Sequence, residues 1–198
     1  MVEIFVDTKQ LKSLSVELAE FAKAAPKEVL VPALNDSLKR VKTPIKRGVS
    51  GRYNIPQKEV EKAIKYKHAS ASDPTAAVMI RGRPKGLIHF PLKPKTYKQK
   101  GVKVSKRKYL SVTITKGKQK QIKIKPAAFV AIANGTPNVF HRTSKADPTL
   151  ERLVTISIPE MLSAKAVLNP VQHRTEEILK ERINHHLHRK LKVKGGKK

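Results

Sequence analysis

Three sets of residues in this chain have types and spacings that could do chemistry. Glu181, His185 and His188 stand at four- and three-residue steps with His186 adjacent, so on a helix they share a face that could hold zinc. No second cluster supplies a further ligand. The plainer reading, a polar exposed face on a basic helix, is preferred and no metal is assigned. The second set is cationic: Lys103, Lys106, Arg107, Lys108, Lys116, Lys118, Lys120 and Lys123 could neutralise phosphates or carboxylates. Lysine contacts to phosphate carry no base-sequence information. The third is Arg142, after the apolar pair Val139-Phe140 at the end of a predicted strand. A guanidinium there could brace several carbonyls or one carboxylate and pin an inter-strand or inter-subunit contact; an ordinary surface arginine is the alternative.

Catalytic constellations are missing from this list. The sequence has no nucleophile-elbow or phosphate-loop spacing, and between Asp73 and Asp147 it has no acidic residue that could serve hydrolysis or a metal-dependent nuclease. We expect no enzyme and no cofactor. Tyr66, Tyr97 and Tyr109, flanked by lysines, could stack on single-stranded bases, although core or rim positions are the simpler reading at 5% aromatic content.

The acid-free stretch from Pro74 to Ala146 holds 18 Lys and Arg and so carries most of the formal charge of +28. Its sequence is strand-like: Val102 and Val104, Leu110, Val112 and Ile114, then Ile122 and Ile124 each alternate with polar residues. Such alternation suits a half-buried sheet with a basic outer face. With 43 Lys+Arg against 15 Asp+Glu, the chain needs something anionic nearby. Three readings of the surface stay open: contact with acidic proteins, contact with DNA, and a merely solvated face. Cysteine is absent, which removes disulfides and thiolate chemistry. The N-terminus lacks a signal-peptide pattern and no apolar run approaches a membrane span, so we expect a soluble, unsecreted protein with no membrane partner.

The elements that must position these residues read as helix, sheet, helix. Leu11, Leu14, Leu18, Phe21 and Ala25, then Leu30, Leu34, Leu38, Val41 and Ile45, give one bent helix or two over residues 8–49. A short helical segment is expected over 57–62, and a hairpin from 63–68 and 76–81. The Pro- and Lys-rich stretch 82–101 is expected to be mostly extended loop. Strands are expected over 109–115 and 121–125 around Lys116-Gly117-Lys118, over 139–142 and over 153–158. Residues 129–133 fit a short helix or a buried strand. Ile158-Pro159-Glu160 starts a brief helix, and Asn169-Pro170 caps the last one, where Val171, Ile178, Ile183 and Leu187 share a face. The expected class is α+β, with N-terminal helices and a C-terminal helix packed on a mainly antiparallel twisted sheet. One domain is expected over 1–198: helical over 1–50, β-rich and basic over 63–158, helical over 169–191, with a flexible tail over 192–198.

Ala33-Leu34-Asn35, Lys42-Thr43, Arg47 and Tyr53-Asn54-Ile55 form one ordered set. Phe129 through Gly135 to Val139-Phe140 and Arg142, then Leu153 and Ile158-Pro159-Glu160-Met161, continue it. Together they resemble the prophage minor tail protein Z family of tailed bacteriophages, in order along nearly the whole chain. The lysine-rich stretch 93–125 matches no fixed motif. The resemblance implies a structural virion protein that completes the tail at its head-proximal end, assembled in the host cytoplasm. It implies a homo-oligomeric ring, with a hexamer favoured, that links tail and neck around the DNA passage. Implied partners are a tail terminator or tube protein, neck or head-tail connector proteins, and genomic DNA in the channel. The alternative from another class is a free nucleic-acid-binding protein of ribosomal or nucleoid type.

Overall fold

The computed structural model describes residues 2–6, 27–93, 109–124, 127–133, 135–143 and 149–195. The predicted helix over residues 8–25 lies outside them. The fold is α+β: four helices and several small antiparallel sheets among the described residues.

Helix α1, Lys27–Arg52, is the axis of the molecule. Val29, Leu30, Ala33, Leu34, Leu38, Val41, Ile45 and Val49 recur along it at helical spacing and are all buried. Helix α4, Lys165–Gly195, buries Val167, Val171, Ile178, Leu179 and Ile183 in the same way. The two helices lie side by side and antiparallel, since Glu28 meets Lys190, Asp36 meets Arg182 and Gly48 meets Val171. Two buried hydroxyls in this pair close on their own helices: Ser37 Oγ donates to the carbonyl of Ala33 and Thr175 Oγ1 to that of Val171, each at 2.7 Å. Helix α2, Gln57–Ala63, and helix α3, Ile158–Ser163, complete the helical layer. A reciprocal capping box fixes the start of α3: Ser157 N–H donates to Glu160 Oε2 at 2.6 Å, and Glu160 N–H to Ser157 Oγ at 3.4 Å.

The first sheet runs in the order β1 (Val2–Val6), β3 (Ala76–Ile80), β2 (Ile64–Lys67), all antiparallel. The expected β2–β3 hairpin is present, with Ile64 opposite Ile80. Strand β1 was not anticipated. Asn35 of α1 clasps the start of the hairpin turn, its amide donating to the carbonyl of Ala69 (3.0 Å) and accepting from the Ala69 N–H (2.9 Å).

The expectation of loop over 82–101 needs correction in its described part. Strands β4 (Lys85–Gly86) and β5 (Leu92–Lys93) flank a 3-10 turn, Leu87–His89, and Leu87 and Phe90 are core residues. Pro84 and Pro91 sit just outside the short strands, where no ladder donor is required of them. A second sheet joins β5 to β6 (Ser111–Val112) and β7 (Lys120–Gln121). Its strands are shorter than alternation suggests, because Thr113 to Thr115 spend their hydrogen bonds on Pro91 and the end of α1.

The third sheet has the order β10 (Leu150–Arg152), β9 (Thr136–Arg142), β8 (Phe129–Ala133). Residues 129–133 are thus strand, and β9 starts before the expected 139. Gly135, at φ +73, allows the tight turn between them. The strand expected over 153–158 is instead split. Leu153 donates to Val139 and accepts from Leu87, and β11 (Val154–Thr155) pairs with β4. The last helix also starts earlier than Asn169: the N–H groups of Val167 and Leu168 both reach the carbonyl of Ala164, and Pro170 lies one turn inside.

Candidate functional site

The β6–β7 hairpin carries the lysines, and the end of α1 holds it. Asn54 is the pin. Its backbone N–H donates to the carbonyl of Ile114 and its side-chain amide to that of Thr113, both at 2.8 Å. Tyr53 bridges Thr115, and Lys116 N–H donates to the carbonyl of Arg52 at 2.9 Å, so a carbonyl left open at the helix end is satisfied by the hairpin itself. Leu110 and Val112 bury the root of the hairpin. The turn closes with Lys118 N–H on the carbonyl of Thr115 at 3.0 Å, and Gly117 takes φ +74, a conformation β-carbons disfavour.

Lys116, Lys118, Lys120 and Lys123 are all exposed, and among the described residues none has an ion-pair partner. Lys103, Lys106, Arg107 and Lys108 lie outside the described residues, as does Tyr97. Arg142 is exposed at the end of β9, opposite Leu150, and its guanidinium has no partner among the described residues. Beside the hairpin root, Tyr53, Ile55, Pro56, Pro91, His89 and Lys116 line an open groove. The guanidinium of Arg52 stands 6.0 Å from the Tyr53 ring centre and adds a cation there.

Most of the described acids lie elsewhere and are paired. Glu61 of α2 pairs with Lys42 and, at 2.9 Å, with Lys46 of α1. Glu59 meets Lys62 at 2.7 Å and Lys85 at 3.1 Å; these hydrogen bonds pull its carboxyl down to about 2, tying α2 to β4. Asp36 faces Arg40, Arg182 and His186, while Asp73 pairs with Lys67. Burial, followed by the nearby Arg189, lowers the pKa of His186 below its ordinary value, against the pull of Asp36. The frame thus holds these carboxylates in ion pairs, whereas the hairpin lysines have none among the described residues.

The zinc-spaced face on α4 is not assembled as a site: Glu181 pairs with Arg174 at 3.3 Å and His186 turns to Asp36. Among the described residues no three His, Cys, Asp or Glu side chains converge for a metal. Tyr66 and Tyr109 are half-buried, and the Tyr66 hydroxyl is enclosed.

A helical layer bears small antiparallel sheets, and one hairpin of these carries lysines with no ion-pair partner among the described residues. The family model for prophage minor tail protein Z matches residues 9–194, and the chain belongs to that family. It is therefore a structural protein of the bacteriophage tail, located in the virion and in contact with other phage proteins. No curated protein and no solved structure matches it. Among the described residues no helix is long and apolar enough to cross a membrane.

Several of the residues that carry the resemblance are scaffold. Asn35 clasps Ala69, Lys42 holds Glu61, Asn54 pins the hairpin, and Tyr53, Ile55, Val139 and Phe140 are core. Sequence reasoning gave Asn35 and Asn54 no role. The signal for Asn54 was its place between two apolar residues just past a helix end.

Proposed function

We propose that the chain, as a single tail-completion domain, completes the tail at its head-proximal end. In this reading it forms a homo-oligomeric ring, with a hexamer favoured, around the DNA passage. One side meets the tail terminator or tube protein and the other meets neck or head-tail connector proteins. What supports this beyond family membership is the division of charge. Glu59 and Glu61 of the helical frame are paired, while Lys116, Lys118, Lys120 and Lys123 are exposed on and beside a hairpin fixed at its root, with no ion-pair partner among the described residues. Lys103, Lys106, Arg107, Lys108 and Arg142 extend the same contact set. Acidic protein surfaces or the DNA backbone satisfy these cations without base recognition, and complementarity of this kind governs orientation and rate of association.

Sedimentation of lysates from phage-producing cells tests the reading. Travel with finished particles, at a small fixed ratio to the major tail protein, is the expected result. Recovery only with ribosomes or free nucleic acid overturns it in favour of a free nucleic-acid-binding protein. Salt dependence separates the two further: neutralising about six duplex phosphates gives a log-log slope of about −5. A shallow slope fits charges that meet protein.

A further inference from the structure

The open groove beside the hairpin root, about 460 Å³ in volume, lies between the end of α1, the start of α2 and the turn before β5. Tyr53 and Ile55 are buried and floor it, while Pro56, Pro91, His89 and Lys116 are exposed and rim it. No carboxylate lines the groove. Its two cations, Lys116 on the rim and Arg52 over the Tyr53 ring, have no ion-pair partner among the described residues. The α1 wall adds Ser50, whose Oγ is enclosed and has no hydrogen-bond partner. Ser37 and Thr175, in the same pair of helices, each donate to the carbonyl four residues before them. A hydroxyl cut off from water and left unpaired is costly until a partner arrives to meet it.

We propose that this groove receives an acidic segment of a neighbouring tail protein, with one apolar side chain over Tyr53 and Ile55, a carbonyl or carboxylate on Ser50 Oγ, and flanking carboxylates on Arg52 and Lys116. That the neighbour belongs to the tail rests on the function proposed above; the preference for acid beside an apolar side chain does not. Charge complementarity selects the occupant. Residues 94–108, which follow β5, contain no acid and bring no matching charge. A second copy brings a formal charge of +28 toward a cationic rim. A phosphate backbone would satisfy the cations but leave the apolar floor uncovered. A carboxylate-bearing peptide with one apolar side chain meets the floor, the hydroxyl and the cations together, and the volume suits a single large side chain with its flanking backbone.

The test is an anisotropy titration of the purified full chain at physiological salt. The probe is a fluorescein-labelled peptide, Gly-Glu-Glu-Phe-Glu-Glu-Gly, compared with the same peptide carrying Ser in place of Phe and with a short DNA duplex. The Phe peptide is expected to bind about tenfold tighter than the Ser peptide, from burial of its ring. Ser50→Ala is expected to weaken the Phe peptide about fivefold, by one hydrogen bond. It should also melt no lower than the parent, since it removes an unpaired hydroxyl from a helix and adds helix propensity. A lower melting temperature would make Ser50 a strut of the fold and overturn the proposal, as would unchanged peptide binding. Equal binding of the two peptides overturns it in favour of unselective charge. Duplex binding that Ser50→Ala weakens, without a preference for the Phe peptide, puts DNA in the groove instead. Self-association of the chain that Ser50→Ala abolishes, read by sedimentation velocity, puts a second copy there. Every arm uses purified chain, so this contact can fail while the chain still travels with particles, and can hold if it does not.

Discussion

A β-carbon on Gly48 would stand 2.9 Å from Cγ2 of Val171 and 3.3 Å from Cγ1 of Val167. The crossing of α1 and α4 is thus set by the missing side chain at one position. In Gly48→Ala, overpacking costs about 1–3 kcal/mol and better helix propensity offsets about 1. A net loss of roughly 1 kcal/mol is expected, which lowers Tm by about 2–4 °C at this chain length. Val171→Ala should cost less in the Gly48→Ala background than in the parent, because it removes the methyl the new β-carbon meets, and a double-mutant cycle by thermal melts reads that coupling.

Asn54→Ala removes the side-chain bond to Thr113 while sparing the backbone bond to Ile114. About 1 kcal/mol of stability should go. Hydrogen exchange should quicken over 113–118 and stay slow along α1 and α4. Uniform loss of protection would show that the hairpin does not open as a unit.

How far these two residues could be foreseen differs, and the reason is physical. Periodicity names the buried stripe of α1 and of α4, because burial of one face repeats every three or four residues. It says nothing about which residue lets two stripes approach, so it does not single out Gly48. Asn54 is polar, and its value lies in the carbonyl of Thr113, 59 residues away in sequence, a partner no local pattern reveals. The lysines at 116, 118 and 120 were legible because turn chemistry around Gly117 is local. Strand lengths were not: Leu153 spends its bonds on Val139 and Leu87, and that choice is tertiary.

Acid should loosen the contact between α2 and β4. The Glu59 carboxyl is held down to about 2 by Lys62 and Lys85, below its ordinary value of 4.5. A lowered folded-state pKa contributes stability above the unfolded value that is lost as pH falls from 4.5 toward about 2. Glu59→Gln should flatten that part of a stability-pH curve, at a neutral-pH cost of about 1 kcal/mol, since the Glu59–Lys85 pair is half-buried yet still reached by solvent.

His186 gives a pH effect in a different window. Its folded-state pKa lies below the ordinary 6.5, mainly through burial. The unfolded chain therefore takes up a proton first, and stability declines as pH drops below 6.5. His186→Gln should remove this decline in urea titrations run at a series of pH values. An unchanged slope would show that other groups, not the Asp36 cluster, govern that range.

Changing Lys116, Lys118 and Lys120 together to Glu should leave stability within about 0.5 kcal/mol, as these side chains touch nothing that holds the fold. Incorporation into particles, measured by quantitative mass spectrometry of purified virions, should fall sharply. Normal incorporation would remove the hairpin from the contact set.

Helix α1 joins two places that are both rich in cations. Its first turns lie beside Arg182, Arg189 and Lys190, and its last residue receives the lysine hairpin. With 26 residues and about 1.5 Å of rise per residue, it spans about 39 Å. The second helix runs antiparallel along it and stiffens it. The distance between the two cation-rich ends is thereby a fixed length, counted in helical turns rather than in the reach of loops.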